Sequence, residues 1–151
     1  MDQTFEIIRT SRKLTSQFLD NYSLEQLNKI PEGFSNNLIW NIAHIVVTQQ
    51  ILVYKLSGLP MMVSDEFVGK YRKGTKPEGD ISQKELEEIK SLLFETIIKT
   101  EADYNEKVFN TYNEFTTSLG FTFKSTEDAI IYNNYHEALH FGIMMSIQKF
   151  I

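Results

Sequence analysis

The sequence contains no cysteine, which excludes disulfides, thiolate metal sites and thiol nucleophiles and agrees with a reducing compartment. Any metal site must therefore use nitrogen and oxygen ligands. No apolar run approaches the roughly 20 residues that cross a bilayer, and Met1-Asp2-Gln3-Thr4 shows no basic segment leading into an apolar one. The chain is thus expected in the cytoplasm, with no membrane partner. Basic residues are in the minority, 15 against 20 acidic ones, for a formal net charge of -5. An acidic protein lacks the attraction that dominates nucleic-acid affinity, so DNA and RNA are not expected partners. Proline is scarce as well: its three residues all fall between segments of helical periodicity, where a break costs nothing.

What is present is ordinary globular material. The 151 residues are 42% hydrophobic and 23% charged, close to the average of folded domains and of a size that buries one core. No internal repeat, low-complexity tract or boundary divides the chain, so residues 1–151 read as a single domain.

Four long segments carry helical periodicity. The first spans about Gln3 to Asn21, with Ile7, Leu14 and Phe18 on one stripe and Ser11 between them. A short turn, Ser23 to Asn28, opens with a capping box of Ser23 and Gln26. The second long helix starts near Ser35 or Asn36 and ends at Ser57, before Gly58 and Pro60; its stripe is Trp40, Ala43, Val47, Ile51 and Tyr54, with His44 among them. The segment from Gly58 to Asp80 reads as irregular, too long for a tight turn and suited to a crossover or a loop covering a site. Ser82 and Glu85 cap a third helix whose Leu86, Ile89, Leu93, Ile97, Tyr104 and Val108 continue at near-heptad spacing. From Asn113 to Lys124 a loop includes a short extended piece at Phe121 to Phe123. The last helix opens at Ser125, with Asp128 as its third residue, and its stripe reads Ala129, Asn133, His136, His140, Ile143 or Met144, and Ile147. This is an all-α pattern, and helices this long in a chain this short pack most economically as a four-helix bundle.

The chain has three histidines, and their placement carries the functional signal. His136 and His140 stand at i and i+4, the spacing that lets two imidazoles of one helix face hold one metal ion. His44 lies on the buried stripe of another helix, so a bundle can bring the three together. Each histidine taken singly could instead be a satisfied core residue. Taken jointly, three buried imidazoles without partners would cost about 1 to 3 kcal/mol for each uncompensated polar atom, which a metal relieves.

His136-Glu137-Ala138-Leu139-His140 also matches the H-E-x-x-H pattern of zinc proteases. The eleven residues after His140 leave little room for the usual downstream ligand, and no strand offers an edge to a peptide. Glu137 projects about 60 to 100° from the two histidines around the helix. It is therefore a candidate general base for a metal-bound water, with a solvated surface glutamate as the alternative. A di-iron carboxylate site needs two Glu-x-x-His elements, and only Glu137 to His140 provides one.

The segments Asn37-Leu-Ile-Trp40-Asn-Ile-Ala-His44 and His136-Glu-Ala-Leu-His140-Phe-Gly142 together resemble the DinB/YfiT-like superfamily of metal-dependent enzymes. The family pattern is one histidine after an aromatic in the second helix, then a His-x-x-x-His pair near the C-terminus with a glycine soon after; Tyr71-Arg-Lys-Gly74 and the Gly120 to Ser125 approach are also similar. The resemblance implies an up-down-down-up bundle, with Gly58 to Asp80 as the crossover between helices 2 and 3. It further implies one Zn or Ni ion on His44, His136 and His140, with positions open to water or substrate. Some members of the family are thiol transferases that use bacillithiol or mycothiol.

The expected function is a metal-dependent enzyme, either a hydrolase or a low-molecular-weight-thiol S-transferase, acting on a small-molecule substrate. By ligand chemistry alone Zn, Ni, Co or Fe(II) would suit the three imidazoles. Thr48, Asn133 and Glu137 lie within one turn of a ligand and are candidates to support it. Lys70, Arg72, Lys73 and Lys76 could hold an anionic substrate or form a solvated basic loop. The alternatives are a non-catalytic metal-binding or stress-response module, and a helical scaffold that binds no metal. A homodimer is plausible, with no interface nameable from sequence.

Overall fold

The computed structural model describes residues 1–151 and is mostly helical, with one small antiparallel sheet. In chain order the elements are α1 (Asp2–Asn21), α2 (Leu24–Asn28), α3 (Leu38–Gln49), α4 (Asp65–Tyr71), α5 (Gln83–Asn105), β1 (Phe115–Thr116), β2 (Thr122–Phe123) and α6 (Thr126–Ile147). No helix is long and apolar enough to cross a membrane.

Helix starts follow the capping residues. Ser23 and Gln26 close a reciprocal capping box on α2, and Ser125 and Asp128 close one on α6. The Ser82 hydroxyl accepts from the Glu85 amide at the start of α5. The start of α3 differs from expectation: Asn37, one residue beyond the expected caps, accepts from the Trp40 amide at 2.8 Å. Beyond Gln49 the helix widens into a π turn over Gln50–Tyr54 and tightens over Lys55–Ser57, until Gly58 stops it at φ 71°. The segment expected to be irregular contains α4, capped by Ser64 on the Phe67 amide. Helix α5 stops at Asn105 rather than running through Val108, because Lys107 turns to φ 57°.

Contacts at the helix ends give the senses of packing. Arg9 pairs with Glu101 and Asp20 with Lys90, so α1 and α5 run in opposite directions. Asn41 meets His140 while Ser57 meets Thr126, so α3 and α6 are also opposed. Arg12 meets Glu137 and Tyr22 meets Gln148, which makes α1 and α6 parallel. Gln49 bonds Thr100 and Tyr54 bonds Asp103, which makes α3 and α5 parallel.

Every residue of α3 except Thr48 is buried, because α1, α2, α4, α5 and α6 all pack against it. Its apolar residues form one core with Leu86, Ile89 and Leu93 of α5 and Met144 and Ile147 of α6. A second, smaller core lies toward the other end, around Phe5, Ile8, Val53, Ile97 and Ile130. The expected stripe on α1 is corrected here. Ile7 and Leu14 are exposed, and the buried face is Phe5, Ile8, Arg12, Thr15 and Leu19, with Phe18 at its edge. On α6 Met144, not Ile143, faces inward.

Candidate metal centre

Two opposed helices bring the three histidines together. Their candidate ligand nitrogens all lie within 4.8 Å of one another. The ring centroids of His44 stand 5.2 Å from His136 and 4.7 Å from His140, and the last two are 4.6 Å apart. His44 and His136 are only 4% and 9% exposed, and His140 is partly buried.

Hydrogen bonds fix the tautomers of two rings. His44 Nδ1 sits 2.6 Å from the carbonyl oxygen of Tyr71, the last residue of α4. A carbonyl can only accept, so Nδ1 carries the proton and Nε2 keeps its lone pair. The Thr48 hydroxyl accordingly donates to that Nε2 at 3.3 Å. His140 Nδ1 lies 2.8 Å from Asn41 Oδ1. The Asn41 amide nitrogen is already committed to the Asn37 carbonyl at 2.7 Å, so Oδ1 is the acceptor and His140 Nε2 is free. The capping asparagine of α3 thus holds the asparagine that orients a ligand candidate on α6. His136 Nδ1 is buried with no partner at all.

Stacking and charge complete the surroundings. The Trp40 indole lies on the His44 ring at 4.6 Å and 10°. Burial pushes the pKa of all three histidines below the ordinary value, assisted for His136 and His140 by the mutual repulsion of neighbouring imidazolium charges. His136 is pushed down to about 3 and His140 to about 4; Lys73 on the covering loop adds to the lowering at His44. The rings are therefore neutral at physiological pH, the state in which an imidazole nitrogen binds a metal. A three-nitrogen donor set with two tautomers fixed by outer hydrogen bonds and one ring nitrogen unsatisfied fits a metal ion.

Glu137 is 1% exposed, which overturns the solvated-glutamate alternative. Its Oε1 accepts from Arg12 Nε and Nη2 at 3.0 and 2.8 Å and from Asn133 Nδ2 at 2.6 Å, whereas Oε2 has no partner. Arg12 is itself fully buried, and its Nη1 donates to the Leu93 carbonyl and the Thr96 hydroxyl. Of the basic run, Lys70 belongs to α4 and pairs with Glu66 and Glu85, while Lys73 reaches Ser118. A cavity of about 460 Å3 lies beneath this segment, bounded by Trp40, Tyr71, Lys70 and Lys76, and none of the histidines lines it.

Sequence reasoning missed Arg12, Asn41 and Tyr71. Arg12 had a readable signal, an arginine one turn from Ile8 in a run that also buries Phe5 and Leu19. Asn41 and the Tyr71 carbonyl had none, since their partners lie 99 and 27 residues away.

The family model described as the DinB superfamily matches residues 7–144. No curated protein matches the chain. The crystal structure of a conserved protein from Enterococcus faecalis superposes with a TM-score of 0.68 at 10% identity, covering 99% of this chain and 95% of that one. At that identity the likeness speaks to the fold.

Proposed function

The chain belongs to the DinB superfamily, and from that premise we propose that it is a metal-dependent enzyme holding one divalent ion, zinc or nickel, on His44, His136 and His140. The observation that carries this reading is the convergence of three neutral imidazoles from two helices, with all candidate ligand nitrogens within 4.8 Å. Residues 1–151 are read as one four-helix bundle of α1, α3, α5 and α6 in up-down-down-up order, a reading supported by the senses of the paired helices. The segment from Gly58 to Asp80 is then the crossover.

The reaction is read as hydrolysis or transfer of a low-molecular-weight thiol. An ion held by the three histidines would supply Lewis acidity and make a nucleophile bound to it more acidic. The protein's own residues do the rest. Tyr71 O and Asn41 Oδ1 hold the imidazoles in register, and Trp40 keeps water from one face of His44. Thr48, the only residue of α3 that is not buried, stands beside His44 Nε2 and marks the side open to a small substrate. Lys73, whose charge is felt at His44, provides positive charge for an anionic group. Glu137 is the candidate base through its unpartnered Oε2, with Arg12 and Asn133 holding the other oxygen.

A second reading, a metal-binding module without catalysis, is favoured by the burial of the histidines and by the nearby cavity's stopping at Trp40 and Tyr71. Elemental analysis of the purified protein beside His44→Ala and His140→Ala tests the shared premise. About one equivalent per chain is expected for the parent, with a sharp fall in both variants. No metal even after reloading with zinc or nickel sinks both readings. A loaded protein inert toward ester, amide and thiol-transfer substrates leaves the module.

A further inference from the structure

The cavity of about 460 Å3 between α4 and the crossover falls within the range of small-molecule sites, roughly 300 to 1,000 Å3. Ile39, Trp40 and Tyr71, exposed by 1%, 5% and 4%, give it an apolar floor. The loop over it is tethered at both ends. At one end the Thr75 hydroxyl accepts from Trp40 Nε1 at 3.1 Å and donates to the Lys70 carbonyl at 2.7 Å. At the other, Ile81 and Asn28 exchange a reciprocal pair of bonds. Between these tethers, Lys76 to Asp80 make no hydrogen bond to the rest of the chain.

Two glycines widen the space without a reason inside the chain. Gly69, within α4, and Gly79, in the loop, both line the cavity, and a Cβ on either would meet nothing within 4 Å. Neither has the positive φ that favours glycine. Glycine inside a helix is destabilising relative to alanine, and an occupant that needs the room accounts for its use at Gly69.

We propose that this cavity is a binding site, separate from the histidines, for a small organic cation: an ammonium group carried on an apolar body. Charge selects the cation. Four carboxylates, Glu66, Glu78, Asp80 and Glu85, line the cavity against two lysines, Lys70 and Lys76. Lys70 is already paired with Glu66 and Glu85, whereas Glu78 and Asp80 have no basic partner. The carboxylates do not converge as an inorganic ion would require; the histidines are the one group of potential ligands that does. A floor of aromatic rings takes up an apolar body and attracts a cation as well, and the acidic rim holds the ammonium. Trp40 and Tyr71 also contact His44, by stacking and through a backbone carbonyl, yet no histidine lines the cavity.

The chain has one tryptophan, and because Trp40 forms part of the wall its emission reads occupancy directly, with titration calorimetry as the label-free check. Phenethylamine is the probe, beside phenethyl alcohol and hydrocinnamate, which carry neutral and anionic heads on a similar body. The amine is expected to bind saturably with Kd on the order of 0.1 to 1 mM. It should bind about 10-fold or more tighter than either analogue, and more weakly as salt rises. Metal-free and zinc-loaded protein should both bind it, so failure here is distinct from failure of the histidines to hold an ion. Gly69→Leu fills the space and is expected to weaken binding at least 10-fold, with helix content by circular dichroism and metal content both retained. Glu78→Gln combined with Asp80→Asn, at exposed positions outside any helix, is expected to erase the preference for amine over alcohol. No saturable signal by either method overturns the proposal, as does an alcohol or carboxylate that binds as tightly as the amine. Unchanged affinity in Gly69→Leu, or an amine preference that survives the double variant, overturns it equally.

Discussion

Helix α6 supports two buried polar clusters one residue apart, and they are built on opposite principles. Glu137 and Arg12 are a charged pair whose needs are mostly met from within: three donors converge on Glu137 Oε1, and Arg12 has further acceptors at Leu93 and Thr96. His136, His140 and His44 are neutral and bring one candidate ligand nitrogen each to within 4.8 Å of the others. The first cluster joins α1, α5 and α6; the second is a set of lone pairs awaiting a cation. A buried group that finds its partner is architecture, and one whose partner is missing from the chain signals a ligand.

Breaking the charged pair should have the largest effect. Arg12→Met leaves a buried carboxylate unpaired and is expected to lower unfolding free energy by about 3 to 5 kcal/mol in urea titrations. Arg12→Met combined with Glu137→Leu should recover much of that loss, since no charge is then stranded. Recovery would fail if Glu137 were needed for folding beyond its pairing.

Acid should act on the histidines next. In the unfolded chain they take up protons near pH ~6.5, whereas His136 and His140 in the metal-free fold resist until about 3 and about 4. Between these limits the unfolded state holds more protons, so stability rises with pH. Their contribution is complete above the unfolded value and is lost as pH falls toward the folded ones. From pH ~7 to ~5 the metal-free protein should lose on the order of 2 to 4 kcal/mol through these two groups. Chemical denaturation at both pH values should show a shallower dependence in His136→Asn than in the parent.

The smallest expected effect sharpens the comparison at the ligand cluster. Asn41→Leu removes the acceptor of the His140 Nδ1 proton but leaves all three imidazoles in place. Metal affinity, read by competition with a chelating dye, should fall about 10- to 100-fold while helix content is retained. Unchanged affinity would mean that His140 is oriented by packing alone.

The same contrast explains what could be read from sequence. The i, i+4 histidines and the capping boxes at Ser23 and Ser125 are local, set by helix spacing and a few bonds, and the structure retains them. The stripe of α1 misled because two apolar rows overlap about one residue out of phase, Ile7, Leu14 and Phe18 against Phe5, Ile8 and Leu19. The row containing a charge, Arg12, faces inward, and of the other only Phe18 is buried. Helix α4 and the π turn after Gln49 escaped for a related reason. A seven-residue helix carries too little periodicity, and the widened turn depends on bonds such as that from the Met62 amide to Gln50 Oε1.

The sequence by itself determined that the chain is helical, where most of its helices begin, and which nitrogens are available to a metal in a protein without thiols. These follow from period, capping and residue inventory. Tertiary structure decided that Glu137 is buried against Arg12, and that Asn41 and the Tyr71 carbonyl choose the tautomers of His140 and His44. Each depends on which group across the core satisfies a polar one, and that partner is up to 125 residues away in the chain.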